Sequence, residues 1–215
     1  MKKLMAGLLA AVCLSPIFPV HAQQGDAQAG SQKNALCVGC HGIKGYHTGF
    51  PEVYRVPMLS GQSAGYIVSA LNDYKTGARK HPSMGTTALS LSAQDAADLG
   101  AYYESTGLTA ETAAKPIDAS AGAALVEKGG CVACHGAGLT KPIAPTYPKI
   151  AGQHSDYVYA ALRAYKTENK PQIGRNNPIM GGVVKQFSDK ELKEIARYVE
   201  SLPTTMQTIQ PNRFR

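Results

Sequence analysis

Tryptophan is absent from these 215 residues, and there are only four phenylalanines. The large flat side chains that ordinarily fill a globular core are nearly missing. Yet 44% of the residues are hydrophobic and 17% are charged. That balance excludes a disordered chain, and unexceptional glycine and proline contents exclude a fibre. Long apolar runs are also scarce. The one present, Leu4 to Phe18, follows the basic Met1-Lys2-Lys3 and precedes Val20-His21-Ala22. This order reads as a secretory signal peptide over residues 1–22, not an anchor, because the run is short and no stop-transfer pattern follows. Cys13 leaves with it. The residue before Cys13 is Val12, where a lipoprotein signal needs a small side chain, so no lipidation is expected.

What is left is 193 residues with a net charge of +5, since Lys2 and Lys3 are lost from the formal +7. All four remaining cysteines fall in two motifs, Cys37-Val38-Gly39-Cys40-His41 and Cys131-Val132-Ala133-Cys134-His135. Cys-x-x-Cys-His is the attachment signature of c-type haem. Two thiols one helical turn apart can add to the two vinyl groups of one porphyrin edge, and the adjacent imidazole then reaches the iron. A redox disulfide lacks the βαβ context it needs here. A zinc site would have to join pairs 91 residues apart. Cys37, Cys40, Cys131 and Cys134 are therefore expected to hold two haems, with His41 and His135 as axial ligands.

The chain repeats internally. The motifs align at an offset of 94. Pro57, Gly61, Gln62, Tyr66, Tyr74 and Lys75 match Pro148, Gly152, Gln153, Tyr157, Tyr165 and Lys166 at 91. Arg79, Pro82, Met84, Gly85, Ser92 and Tyr102 match Arg175, Pro178, Met180, Gly181, Ser188 and Tyr198 at 96. The offset changes place three extra residues between His41 and Gly61, and five between Thr167 and Arg175, both in polar, Pro/Gly-rich surface loops. Two tandem domains are expected, 23–114 and 115–215, with a linker at about 107–120. Helices are expected over Asp26 to Leu36 and Ala119 to Lys128, after each Gly-Gln, and from the capping boxes Ser92/Asp95 and Ser188/Glu191 to about Ser105 and Leu202. No alternation marks a strand. The long segments between helices make sense if they wrap a large ligand.

A methionine thioether opposite His raises the potential of electron-carrying haems. Of Met58, Met84, Met180 and Met206, only Met84 and Met180 are repeat partners, each in a loop reading His/Asn-Pro-x-Met-Gly. They are the expected sixth ligands. Met58 aligns with Lys149 and Met206 lies in the tail. His47, His81 and His154 have no histidine partner and read as surface residues, although His81 lies three residues from Met84. Arg79 and Arg175 suit haem propionates, with Tyr74, Tyr165, Gln62 and Gln153 as further candidates for hydrogen bonds there. Pro145 is a plausible carbonyl for the His135 ring.

These features together resemble the diheme cytochromes c4. The two Cys-x-x-Cys-His domains, the Pro-x-Leu/Ile-x-Gly-Gln segments at Pro57 and Pro148, and the late Met84 and Met180 carry the resemblance over the whole chain after the leader. It implies an all-α protein of two class I cytochrome c domains, each wrapped around one covalent haem and related by a pseudo-twofold. It also implies a periplasmic carrier, not an enzyme, passing electrons between respiratory complexes, for example from a quinol-oxidising bc1 complex to a terminal oxidase or reductase. Rival readings are a diheme enzyme resembling thiosulfate dehydrogenase or a peroxidase, and a fixed cytochrome subunit of a dehydrogenase. Partners are expected to be redox proteins, not nucleic acid. The family often has Lys at Met58, and the loop 44–56 is peculiar to this chain. Residues 23–114 carry −1 and residues 115–215 carry +6, so the basic half is expected to dock an acidic partner.

Overall fold

The computed structural model describes residues 24–115, 120–167 and 170–210. The signal-peptide segment and the Ala119 helix start lie outside them. The first half runs α1 (Ala27–Lys33), α2 (Ala35–His41), β1 (His47–Thr48), β2 (Tyr54–Arg55), α3 (Ala64–Thr76), β3 (Arg79–Lys80), α4 (Pro82–Leu89) and α5 (Ala93–Ser105). The second runs α6 (Ser120–Lys128), α7 (Val132–His135), α8 (Ser155–Lys166), β4 (Gly174–Arg175), α9 (Pro178–Lys185) and α10 (Asp189–Ser201). The fold is helical, as expected, with four two-residue strands among the described residues. Both capping boxes form: Ser92 and Asp95 open α5, and Ser188 and Glu191 open α10.

Three details differ from the sequence reading. The expected helix over Asp26 to Leu36 breaks at Asn34, and the second segment carries the first haem motif. Short helices replace the two methionine loops. In each, Pro occupies the first turn, and the side chain of His81 or Asn177 caps the N–H of Met84 or Met180. His/Asn-Pro-x-Met is thus a helix start, with proline tolerated where its missing N–H costs nothing. Finally, the insertion 44–56 is not a free surface loop. It forms the β1–β2 hairpin, with His47 opposite Arg55, and packs on α8 of the other half.

In both halves the first helix crosses the last through a glycine. A Cβ on Gly30 would lie 2.1 Å from the Asp98 oxygen in α5, and one on Gly122 would lie 2.4 Å from the Glu194 oxygen in α10. The second crossing is an offset of 92 from the first, so two residues were added between Gly122 and Cys131. Gly122→Val is expected to cost the second half about 3 kcal/mol or more, because backbone on both sides must move. Denaturant unfolding of the haem-loaded protein checks it.

Lys33 pairs with Asp95 at 2.8 Å and Asp98 at 2.6 Å. The Asp26 backbone N–H, then Lys33 and Gln94, hold the Asp98 carboxyl down at about 2. A depressed carboxylate stabilises above its unfolded pKa, and that stability is lost as the pH falls through the folded one. The α1–α5 crossing is therefore expected to weaken from about pH 4 down to about pH 2. Asp98→Asn should flatten that acid limb in a circular-dichroism titration.

The cores are shells without middles. Ile67, Leu99 and Tyr103 form the buried cluster of the first half, and ten residues including Val126, Leu139, Phe187, Leu192 and Val199 form that of the second. Most of these side chains wall a continuous cavity of about 650 Å³ that reaches into both halves. The shortage of large aromatics is thus matched by a cavity of a size that takes a cofactor. No helix among the described residues is long and apolar enough to cross a membrane.

Candidate haem centres

Cys37, Cys40, His41 and Met84 line one end of the cavity, and Cys131, Cys134, His135 and Met180 line the other. No disulfide joins these four cysteines. Each Cys-x-x-Cys lies on or beside one helical turn, so its two sulfurs face the same side. No group of three His, Cys, Asp or Glu side chains converges among the described residues, which disfavours a zinc site joining the halves.

The histidines are oriented alike. His41 Nδ1 lies 2.8 Å from the Pro57 carbonyl, and His135 Nδ1 lies 2.8 Å from the Pro148 carbonyl. The carbonyl source is thus Pro148, not Pro145. Pro57 and Pro148 are repeat partners, so the alignment itself held the signal. Burial pushes His41 down to about 4, despite the opposing Pro57 bond, and lowers His135 for the same reason. A neutral ring facing a carbonyl must carry its hydrogen on Nδ1. The Nε2 lone pair is then free for a metal.

Arg79 and Arg175 meet at the pseudo-twofold. They pair directly as β3 and β4, and the Asn176 N–H donates to the Ala78 carbonyl at 2.6 Å. Arg79 Nη2 donates to the Tyr157 hydroxyl at 2.6 Å and Nη1 to that of Tyr66 at 3.3 Å, while Arg175 Nη2 donates to Tyr157 at 3.1 Å. The guanidiniums lie over the rings of Tyr74 and Tyr165, at 4.6 and 5.4 Å. Burial alone would raise the Tyr157 hydroxyl, but the two cations pull it down to about 7. Arg79 Nε is buried with no partner. Two cations placed together, their side chains hydrogen-bonded only to phenols among the described residues, with Asp73 acting on both through charge alone and one donor still orphaned, are a site for anions. Both arginines and all four tyrosines line the cavity. Tyr66 and Tyr157 were visible as repeat partners but not as arginine holders.

The glutamines do something else. The Gln62 amide bonds the Lys149 backbone twice, accepting at 2.9 Å and donating at 2.8 Å. Gln153 does the same to Met58, at 3.1 and 3.0 Å. Each oxygen also accepts from the next residue's N–H. Gln62 and Gln153 are interdomain clamps, and these bonds take them out of the propionate set. The partner is backbone, 87 or 95 residues away, so no local pattern announced it. Met58 and Lys149 also acquire a shared role as clamped backbone. Met206 is 2% exposed, with its sulfur 3.6 Å from Gln62 Nε2. Of the three histidines read as surface residues, only His47 is exposed; His81 and His154 are partly buried N-cap residues. Tyr103, which the sequence reading missed, is 5% exposed and lines the cavity with an unsatisfied hydroxyl; its repeat partner is Val199.

Cavity, thiols, free imidazole nitrogen, thioether and orphaned cation together fit covalently attached haem. The family model for cytochrome c matches residues 119–203. The chain is similar to a cytochrome c4 of Pseudomonas aeruginosa, 31% identical over 94% of this chain and 100% of the relative. It is similar to a thiosulfate dehydrogenase electron acceptor of Stutzerimonas stutzeri, 30% identical over 90% of this chain and 92% of that one. Among solved structures, reduced recombinant cytochrome c4 from Pseudomonas stutzeri superposes with a TM-score of 0.67 at 30% identity, covering 83% of this chain and 99% of that chain.

Proposed function

The chain belongs to the diheme cytochrome c4 family, an electron-transfer protein with two covalent haems, and from that premise we propose a periplasmic carrier between respiratory complexes. Its donor would be a quinol-oxidising complex and its acceptor a terminal oxidase or reductase. Cys37 and Cys40 hold the first haem, with His41 and Met84 on its iron. Cys131 and Cys134 hold the second, with His135 and Met180. The domains are 23–114 and 115–215. Bound haem supplies one reversible electron per iron. The chain's own part is to fix both axial ligands on rigid elements, exclude water with the core shell, and neutralise propionates with Arg79 and Arg175. Tyr74 and Tyr165 support those cations from below.

The observation that carries this reading is the repeat symmetry of the cavity lining: His41 and Met84 from the first half are matched by His135 and Met180 from the second. Absorption spectroscopy of the periplasmic protein tests it. Two His/Met haems show a weak long-wavelength band in the oxidised state and ignore carbon monoxide. Carbon monoxide binding at one haem at neutral pH would overturn the assignment.

The relative that accepts electrons from thiosulfate dehydrogenase supports a second donor, a thiosulfate-oxidising enzyme. Purified enzyme of that class either reduces this protein at catalytic rates or does not. The +6 of residues 115–215 supports docking of an acidic partner on the second half. Its reduction rate should then fall with rising salt, as screening over ~8–10 Å removes the steering.

A further inference from the structure

The insertion 44–56 ends in Arg55, which reaches across to the second half. Its backbone N–H donates to Asp156 Oδ2 at 2.9 Å, and its Nε donates to Asp156 Oδ1 at 3.0 Å. Nη1 and Nη2 then grip the two oxygens of Glu200, at 2.9 and 3.0 Å. Burial would raise the Glu200 carboxyl, but bonds from Arg55, Ser155 and Lys115 hold it well below its usual range. Glu52 on the same hairpin pairs with Arg163 at 3.1 Å. Fork-shaped charge-assisted bonds of this kind fix geometry as well as supplying energy.

The next three residues connect that grip to the iron site. Val56 N–H donates to the Tyr46 carbonyl at 2.8 Å, Pro57 accepts from His41, and Met58 is clamped by Gln153. The carbonyl that orients His41 is thus pinned on both sides by the other half. In the second repeat, Pro148 has the glutamine clamp on one side only. The position matching Arg55 is Thr146, which is exposed. The orienting carbonyl is the same in the two centres, but its support is not.

Resting on the ligand assignment proposed above, we infer that Arg55 is a positioning residue for the first haem: it holds the Pro57 carbonyl on His41 Nδ1 and so couples domain docking to that haem's potential. A hydrogen bond at the far nitrogen makes imidazole a stronger donor, which favours ferric iron. Loosening it raises the potential of the first haem. Removal of a positive charge by itself would lower it, so the sign separates positioning from electrostatics.

The test is potentiometric titration of holoprotein with Arg55→Met and Arg55→Lys, resolving the two haems. Arg55→Met should raise the first midpoint and leave the second unchanged or slightly lowered. Arg55→Lys, which keeps the charge but cannot fork to both carboxylates, should fall between wild type and Arg55→Met. Deuterium exchange at His41 Nδ1 should speed up relative to His135. A fall or no change in the first midpoint, or equal shifts at both haems, overturns the inference. If Arg55→Met fails to accumulate, Arg55→Lys carries the same comparison. Wild-type haem content and long-wavelength band show separately whether the ligand assignment stands.

Discussion

Met84→His is expected to remove half of the long-wavelength band and to lower the potential of one haem while sparing the other. Thioether ligation raises haem potentials and a second imidazole lowers them. The shift should be a substantial part of the ~0.8 V that axial ligands command across haem proteins. Met180→His should do the same to the other haem, and the double variant should abolish the band. The built-in control is Met58→Leu. Met58 also lines the cavity, yet only its backbone is clamped, so both bands should survive. A full band in Met84→His would mean that another residue caps the first iron.

Arg79→Leu should cost the haem-loaded protein about 3–5 kcal/mol, the usual result of leaving a buried charge without its partner. The charge left behind would be a propionate in an apolar setting, which raises its pKa toward neutrality. One haem's potential should then vary more steeply between about pH 5 and pH 8 than that of wild type, in which Tyr157 is the group held near neutrality. Arg79→Lys restores charge but not the fork that serves Tyr66 and Tyr157 together, so it should recover part of both effects. Redox titration across pH and denaturant unfolding read the two quantities. Stability within about 0.5 kcal/mol of wild type and a pH profile unchanged from wild type would return both arginines to the status of tyrosine-stacked structural cations.

How much of this could be read from residues alone depended on the range of each interaction. The haem motifs, the α5 and α10 capping boxes and the repeated Met84 and Met180 are local patterns, and the structure puts them where local rules say. The helical setting of those methionines was also local, since proline after a capping residue marks a helix start. What escaped was long-range and made of backbone. Gln62 and Gln153 looked like haem-side amides because their partners are peptide groups of the opposite half. Arg55 has threonine, Thr146, at its repeat position, so the alignment did not link it to Asp156 and Glu200. The Gly30 and Gly122 crossings were hidden by a register change that the haem motifs, aligned at 94, cannot reveal.

Residues 203–207 do not stay with their own half. Gln207 bridges to Ser60, Thr204 and Thr205 accept from Thr112 and Leu108, and Met206 seals against Gln62. A boundary drawn at residue 114 by counting repeats therefore cuts through a seam that residues 203–207 close from the far end. Cutting the chain there is expected to strip the Ser60–Gln62 turn and residues 204–207 of each other's hydrogen bonds, so the two repeats are one unit at this seam.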